Sequence, residues 1–275
     1  MRRALRLRAG VPHVPAGPLP GAGRAARPEA PHPARAVRRV SWLTPGGLTA
    51  ALAVGAAVAW GFGWQGLVLL FAFFLSGSFL TQFAERRAPR RTARQVVANG
   101  GVAAVAALCG AWSVAAGALA AAAADTWATE LGAFSPFAPR LITTGARVTR
   151  GASGGITALG TAGGVAGALV LATLAAWLQP RGVAAGAVYH GRTRTLLVLT
   201  GAGVAGMLAD SVLGATVQGK YECPACDARF ERGNTVCHEA VRLTRGWRWL
   251  DNDAVNLAAT LVGAAVAGLG SGYWR

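Results

Sequence analysis

Long apolar stretches separated by short polar segments fill the chain from about residue 43 onward. They lie at 46–62, 64–81, 95–110, 112–131, 153–178, 195–217 and 253–269. A helix needs about 20 predominantly apolar residues to cross a bilayer, and these stretches reach or nearly reach that length. The pattern therefore predicts an all-α fold, a polytopic membrane helix bundle of about six to seven spans.

The number of spans depends on the stretch 95–131, which is too long for one ordinary crossing and breaks plausibly around 109–113. Two helices there make seven spans. With the N-terminus inside, seven spans leave only four of the 27 basic residues outside: Arg181, Arg192, Arg194 and Arg275. Because Lys and Arg collect on the cytoplasmic side, this count favours seven spans over six and places the polar motifs on one cytoplasmic face.

Composition supports a membrane protein, since 53% of the residues are hydrophobic, 14% are charged and the mean hydropathy is +0.40. The 38 glycines suit close helix contacts. A net charge of +16 would suggest nucleic acid for a soluble protein. Here it sets orientation, so we expect no nucleic-acid partner and a multi-pass protein of the cell membrane.

Two regions differ in character. Residues 1–42 combine many arginines with Pro, Gly and Ala and show no periodicity, which predicts a disordered basic tail. Residues 43–271 form the predicted membrane-embedded domain, and 220–250 form a small cytoplasmic insert that contains a Cys-x-x-Cys motif.

Acidic residues inside apolar stretches are the first candidates for a site. Asp125 and Glu130 end the run AAAAADTWATELG, and Asp210 lies within the sixth stretch. An ionisable group at membrane depth costs at least ~2.5 kcal/mol on insertion scales, so it usually serves a function. We expect Asp125 to bind a metal or act at a phosphate site rather than form a structural salt bridge. Asp125 and Glu130 are five residues apart and do not share one helical stripe, but a frayed helix end could bring both to one pocket.

The start of the last stretch, GWRWLDNDAVN, gathers oxygen ligands. Four side chains there carry oxygen atoms that could bind a cation: Asp251, Asn252, Asp253 and Asn256. N-capping of the helix explains one of them, but not all four. Asp253 and Asn256 are three residues apart and lie on one helix face, as ligation of a hard cation requires. Asn252 lies beside them. This segment is a candidate magnesium site.

A glycine-rich segment, TTGARVTRGASGGIT, precedes the fifth stretch and resembles an anion site at a helix N-terminus. The candidate phosphate-binding residues are Arg147, Arg150, Gly151, Ser153, Gly154 and Gly155. The alternative is a flexible loop with orienting charges. Asn99 in QVVANGG is a further candidate for cofactor binding, with a helix cap and close packing as its alternative.

Cysteines mark the insert, where Cys223, Cys226, Cys237 and His238 can form a tetrahedral zinc site. A redox dithiol or a structural turn are the alternatives. Cys109, alone in an apolar stretch, is expected to be a small core residue. The spacing Gly201-x-Gly203-x-x-Gly206 matches a dinucleotide fingerprint but follows no strand, so it predicts helix packing, as do Gly160-x-x-x-Gly164 and Gly163-x-x-x-Gly167.

Several motifs together resemble the domain of unknown function 92 family, which includes transmembrane protein 19 and plant phytyl-phosphate kinase. They are, in order, ANGG, ADTWATELG, PRLITTGARVTRGASGGITALGT, ADSVLGATVQ, the Cys-x-x-Cys insert and WLDNDAVN. The resemblance implies a multi-span membrane protein, with prenyl-phosphate kinase activity in the plant branch.

The resulting hypothesis is a nucleotide-dependent prenyl-phosphate kinase or related lipid phosphotransferase. Its site residues would be Asp125, Glu130, Asp210 and Asp253, with magnesium and CTP or ATP as cofactors and a membrane lipid or prenyl phosphate as substrate. An ion-coupled transporter is the main alternative, because intramembrane acids also bind coupling ions. A noncatalytic membrane protein is the third.

Overall fold

Six helices make up most of the computed structural model, which describes residues 42–84, 90–180, 191–226, 228–231 and 237–272. They are α1 (Pro45–Ala84), α2 (Ala93–Leu108), α3 (Trp112–Gly132), α4 (Ala158–Leu178), α5 (Arg192–Thr216) and α6 (Asn252–Ser271). Within the described ranges, α1, α4, α5 and α6 are long and apolar enough to cross a membrane. The predicted basic tail, apart from Trp42, lies outside the described residues.

Helix α1 consists of two halves that fold back on each other. Gly63 interrupts it with φ 61° and ψ −148°. A Cβ atom added to Gly66 would lie 2.7 Å from the Val58 side chain, although eight residues of continuous helix span about 12 Å. The halves, 45–62 and 64–84, correspond to the two separate apolar stretches that the sequence predicts.

Helix α3 lies at the centre of the bundle and packs against every other helix. Its side chains from Trp112 to Ala124 are all buried. Because its neighbours shield it from lipid, α3 can consist largely of alanine rather than of strongly hydrophobic residues. The break before it, at 109–111, falls where the sequence predicts, but Cys109 is exposed there. The prediction of a core cysteine is therefore wrong.

Glycines let the neighbouring helices approach α3 closely. A Cβ atom added to Gly206 on α5 would lie 2.4 Å from the Ala121 Cβ, and one added to Gly164 on α4 would lie 2.9 Å from the Ala124 carbonyl oxygen. The predictions of glycine packing are confirmed on α4 and, for Gly203 and Gly206, on α5, whereas a Cβ atom added to Gly201 would meet nothing within 4 Å.

Five short strands depart from the all-α prediction. β1 (Arg140–Leu141) pairs antiparallel with β2 (Gly155–Ile156) between α3 and α4. β3 (Lys220–Glu222), β4 (Arg229–Phe230) and β5 (Arg242–Arg245) form a sheet in the order β4-β3-β5 between α5 and α6. Strands of two to four residues are too short to show an alternating pattern in the sequence.

The helix termini form two groups, which we call the first end and the second end of the bundle. At the first end, the Thr44 N–H donates to the Arg91 carbonyl at 3.1 Å, and an added Cβ of Gly154 would lie 2.5 Å from that of Ala215. At the second end, Trp112 Nε1 donates to the Ala175 carbonyl at 3.2 Å. The first end thus contains the N-terminal ends of α1, α2, α4 and α6 and the C-terminal ends of α3 and α5.

Helix α4 begins five residues after the start of its predicted stretch. Thr157 caps it by accepting a hydrogen bond from the Gly160 N–H, and residues 153–157 instead include β2. The polar motifs of the sequence therefore lie in loops and helix termini of the first end.

Candidate functional site

Two carboxylates lie on neighbouring helices near the first end. Asp125 on α3 and Asp210 on α5 are close enough for their charges to interact. The Asp210 Oδ2 atom is buried and has no hydrogen-bond partner among the described residues. Both residues are half-buried, where like charges repel unless a cation or a proton neutralises them, so this pair is a candidate cation site.

Glu231 joins this pair from the insert. It follows β4, and its charge also acts on the Asp210 carboxylate. The Ser153 hydroxyl donates a short hydrogen bond to Glu231 Oε1, and the Lys220 ammonium donates to the Ser153 carbonyl at 3.3 Å. The glycine-rich loop and the insert are thereby connected next to the two membrane carboxylates. We call Asp125, Asp210 and Glu231 the carboxylate cluster.

The structure separates Glu130 from this cluster. Its carboxylate accepts a hydrogen bond of 2.5 Å from Thr81 on α1. Five residues at about 100° each turn Glu130 away from Asp125 on a regular helix, and α3 stays helical to Gly132. Glu130 also interacts electrostatically with Arg91, whose burial lowers the pKa of its guanidinium while Glu130 opposes that shift.

A cavity of about 460 Å³ opens between the starts of α2 and α6 and the insert. Charged side chains of both signs line it: Arg94, Glu231, Arg248, Asp251 and Asp253.

Asp253, which is 6% exposed, lies 3.7 Å from Arg94 Nε. Asp251 contacts Arg94 Nη2 at 2.8 Å and caps α6 by accepting from the Ala254 N–H. Glu231 lines the cavity and interacts with Asp210, so it links the cavity to the carboxylate cluster.

The asparagines predicted to bind cofactor lie on α6 and α2. Asn252 and Asn256 are half-buried on the first two turns of α6. Asn99 donates from Nδ2 to the Gln95 carbonyl at 3.0 Å, so its amide contacts its own helix. The cap of α2 is Thr92, which forms a capping box with Gln95.

The predicted anion site is only partly available for phosphate. Arg150 donates from Nη1 to the Ala133 carbonyl at 2.9 Å and from Nη2 to the Ser135 carbonyl at 2.7 Å. Its guanidinium therefore satisfies carbonyls at and just after the C-terminal end of α3. Both Arg147 and Arg150 are exposed.

Backbone contacts also occupy the glycine-rich loop. Gly155 donates its N–H to the Ala152 carbonyl at 2.9 Å, and the Gly154 carbonyl accepts from the Ile142 N–H. Gly151 and Gly154 have φ of 79° and 80°. The loop packs on the end of α5 near Ala215, which positions Ser153 beside Glu231.

The predicted zinc ligands lie close together. The ligand atoms of Cys223, Cys226, Cys237 and His238 all fall within 4.8 Å of one another. The Cys226 and Cys237 sulfurs are 3.5 Å apart, and Cys237 Sγ is 3.3 Å from His238 Nδ1. The pKa of Cys223 is lowered to about 6, chiefly by the backbone N–H of Glu239. The pKa of Cys237 is raised by its hydrogen bond with Cys226.

Sequence reasoning did not select Glu231, Arg94 or Lys220 as site residues. Each is a charged residue in a polar segment, where nothing local distinguishes it from an ordinary surface charge. Only the folding of the insert over the first end brings Glu231 and Lys220 to Ser153. The pairing of α2 with α6 brings Arg94 to Asp251 and Asp253.

The mostly helical bundle and its long apolar helices define an integral membrane protein. A family model described as integral membrane protein DUF92 matches residues 33–264, and the chain belongs to this family. The resemblance found in the sequence motifs is confirmed.

Relatives of this chain come from distant organisms. An uncharacterized membrane protein of Methanocaldococcus jannaschii is 31% identical over 217 residues, which cover 74% of this chain and 75% of that protein. An uncharacterized membrane protein of Synechocystis is 29% identical over 245 residues, covering 82% and 81%. Protein PGR of Arabidopsis thaliana is 31% identical over 150 residues, covering 54% of this chain and about half (51%) of the plant protein. No solved structure matches.

Proposed function

We propose that this protein is a membrane phosphotransferase that uses a nucleoside triphosphate, CTP or ATP, to phosphorylate a prenyl or related lipid monophosphate. The observation that carries the proposal is the carboxylate cluster, where the buried Asp210 Oδ2 meets the charges of Asp125 and Glu231. The Asp210 Oδ2 atom has no hydrogen-bond partner among the described residues, and two further acids lie near enough for their charges to act on it, which favours a bound divalent cation. The oxygen donors suit magnesium.

The neighbouring cavity supports the nucleotide part of the proposal. Its volume of about 460 Å³ lies within the range of small-ligand sites, about 300–1,000 Å³. Arg248 lines it and would bind phosphate oxygens. Arg94, which is paired with Asp251 and Asp253, would do so through its remaining N–H groups. We therefore assign the nucleotide phosphates to these arginines, and Arg150 to the support of the loop.

The reaction would transfer the terminal phosphoryl group. A lipid phosphate oxygen forms the new P–O bond, while the bond between the γ-phosphorus and the bridging oxygen breaks, leaving a nucleoside diphosphate and a lipid diphosphate. Magnesium, when bound, would neutralise charge on the phosphates. The protein's own residues position the two substrates: the cavity holds the nucleotide at the first end, and the exposed apolar helix faces give the lipid tail access from the bilayer.

The distribution of basic residues supports an orientation in the membrane that gives the cavity access to nucleotides. We propose a multi-pass protein of the cell membrane with seven spans, namely the two halves of α1 and helices α2 to α6, and with the first end in the cytoplasm. The described basic residues at the second end are Arg192 and Arg194, whereas most of the others lie in first-end segments. This distribution follows the positive-inside rule. A cytoplasmic first end gives the cavity access to nucleotides.

Radiolabelled phosphate transfer tests this function. Purified protein in detergent is incubated with γ-labelled CTP or ATP and a panel of prenyl monophosphates, and labelled lipid diphosphates are separated. Transfer should require magnesium and fall by at least about 100-fold in Asp210→Asn. Glu130→Gln is the matched control, because Glu130 bonds to Thr81 outside the cluster, and it should retain transfer. Absence of transfer combined with ion-coupled uptake in vesicles would replace the enzyme by a transporter.

A further inference from the structure

The cysteine-rich insert between α5 and α6 carries a second group of ligand atoms, apart from the carboxylate cluster. Three sulfurs and one imidazole nitrogen lie within 4.8 Å of one another. Thiolate and imidazole ligands in a four-membered set favour zinc over magnesium or calcium, which prefer oxygen.

The separations match zinc geometry. Thiolates bound tetrahedrally at about 2.3 Å lie about 3.8 Å apart, and a thiolate and an imidazole nitrogen lie about 3.6 Å apart. The structure places Cys226 Sγ and Cys237 Sγ 3.5 Å apart and Cys237 Sγ and His238 Nδ1 3.3 Å apart. These two separations are within a few tenths of an ångström of the zinc-bound values, and the other ligand atoms lie within 4.8 Å.

The surrounding backbone provides the turn that such a site needs. The Cys223 N–H donates to the Ala228 carbonyl at 2.9 Å, and the Cys226 N–H donates back to the Cys223 carbonyl at 3.4 Å. This tight turn directs the first two sulfurs toward one point. Cys237 and His238 supply the other two ligand atoms.

The β3–β4 hairpin of the insert has few contacts between its own strands. β4 has two residues and pairs with β3 through two positions, Tyr221 with Phe230 and Glu222 with Arg229. Short hairpins are marginal in water on their own, and small domains of this kind gain their folding free energy from a metal.

We propose that Cys223, Cys226, Cys237 and His238 bind one zinc ion, which holds the β3–β4 hairpin in place. Glu231 follows β4 directly and lies in the chain between the two ligand pairs. The zinc ion thereby fixes Glu231 against Ser153 and next to Asp210. The catalytic purpose of positioning Glu231 rests on the proposed function. Zinc binding and the order of the hairpin do not, since both can be measured without any activity.

Metal analysis of the purified full-length chain in detergent is the first test. We expect about one zinc per chain in the parent protein, and a loss of about tenfold or more in Cys226→Ser and Cys237→Ser after competition with a chelator. Cys109→Ser is the matched control and should retain zinc, because Cys109 lies at the end of α2. His238→Cys should also retain zinc, since it supplies an equivalent ligand, whereas His238→Ala should not. A zinc-free parent protein, or a Cys226–Cys237 disulfide in its place, would overturn the proposal.

Hydrogen exchange tests the positioning role separately. Loss of zinc in Cys237→Ser should raise amide exchange in β3 and β4 by about tenfold while the amides of α3 stay protected. Unchanged exchange in the zinc-free variant would overturn the claim that zinc holds the hairpin. Because neither readout uses phosphate transfer, failure of the zinc site and failure of the phosphotransferase proposal give different results.

Discussion

The Ser153 hydroxyl donates a hydrogen bond to the Glu231 carboxylate, joining two segments that are 78 residues apart in the chain. Ser153 belongs to the glycine-rich loop before α4, and Glu231 to the insert after α5. The contact places a third carboxylate where its charge acts on Asp210, at the first end of the bundle. The stability of this arrangement, the topology and the metal dependence can each be measured.

Topology is tested by cysteine labelling in intact cells. In a Cys109→Ser background, Thr193→Cys at the exposed start of α5 should react with a membrane-impermeant maleimide. Thr144→Cys, exposed in the loop between β1 and β2, should react only after permeabilisation. Reaction of Thr144→Cys in sealed cells would contradict a cytoplasmic first end.

Glycine packing gives a second prediction within one sequence motif. Gly206→Ala places a Cβ atom 2.4 Å from the Ala121 Cβ and should lower the free energy of unfolding by about 1–3 kcal/mol. Gly201→Ala is the matched control, since an added Cβ there meets nothing within 4 Å. It should stabilise the helix by about 0.5–1 kcal/mol. Thermal or denaturant unfolding in detergent measures both, and equal effects would contradict the packing of α5 on α3.

Arg150 provides a third prediction, which separates a structural role from phosphate binding. Arg150→Ala removes two donors from the Ala133 and Ser135 carbonyls and should lower the free energy of unfolding by about 1 kcal/mol. Arg147→Ala, the matched control on the same loop, should change it by less than about 0.5 kcal/mol. If Arg150→Ala kept full stability and lost nucleotide affinity instead, Arg150 would belong to the phosphate site.

Much of the bundle follows from the sequence, because hydrophobic length and glycine spacing are local properties. The turn at Gly63, the break at 109–111 and the packing of Gly206 all lie where the sequence predicts. The short strands do not, since their pairing depends on contacts between polar loops. The exposure of Cys109 could not be predicted from composition. Its apolar neighbours in the sequence predict burial, but the residue is exposed at a helix end.

The site was partly predictable for the same reason. Intramembrane acids are rare enough to be noticed singly, and the Cys and His spacing predicts a cluster that the structure brings together. The regular geometry of α3 also separates Glu130 from Asp125, whereas the sequence alone allows a frayed helix end that would bring both to one pocket. The partners Arg94 and Glu231 depend on which helices and loops meet, and one sequence does not contain that information locally.

We propose that Asp125, Asp210 and Glu231 form one divalent-cation site. Thermal unfolding in detergent, with and without magnesium, tests this proposal. Magnesium at about 100 times its dissociation constant should stabilise the parent protein by about 2.7 kcal/mol. Asp125→Asn, Asp210→Asn and Glu231→Gln should lose this stabilisation. Without magnesium, Asp210→Asn should unfold at a higher temperature than the parent, because one of the repelling charges is gone.

Glu130→Gln is the control in the same experiment and should respond to magnesium as the parent protein does, because Glu130 contacts Thr81 instead of the cluster. Stabilisation by magnesium that disappears in the three cluster variants and persists in Glu130→Gln is the predicted result. Stabilisation that persists in Asp210→Asn, or that disappears in Glu130→Gln alone, would contradict the account.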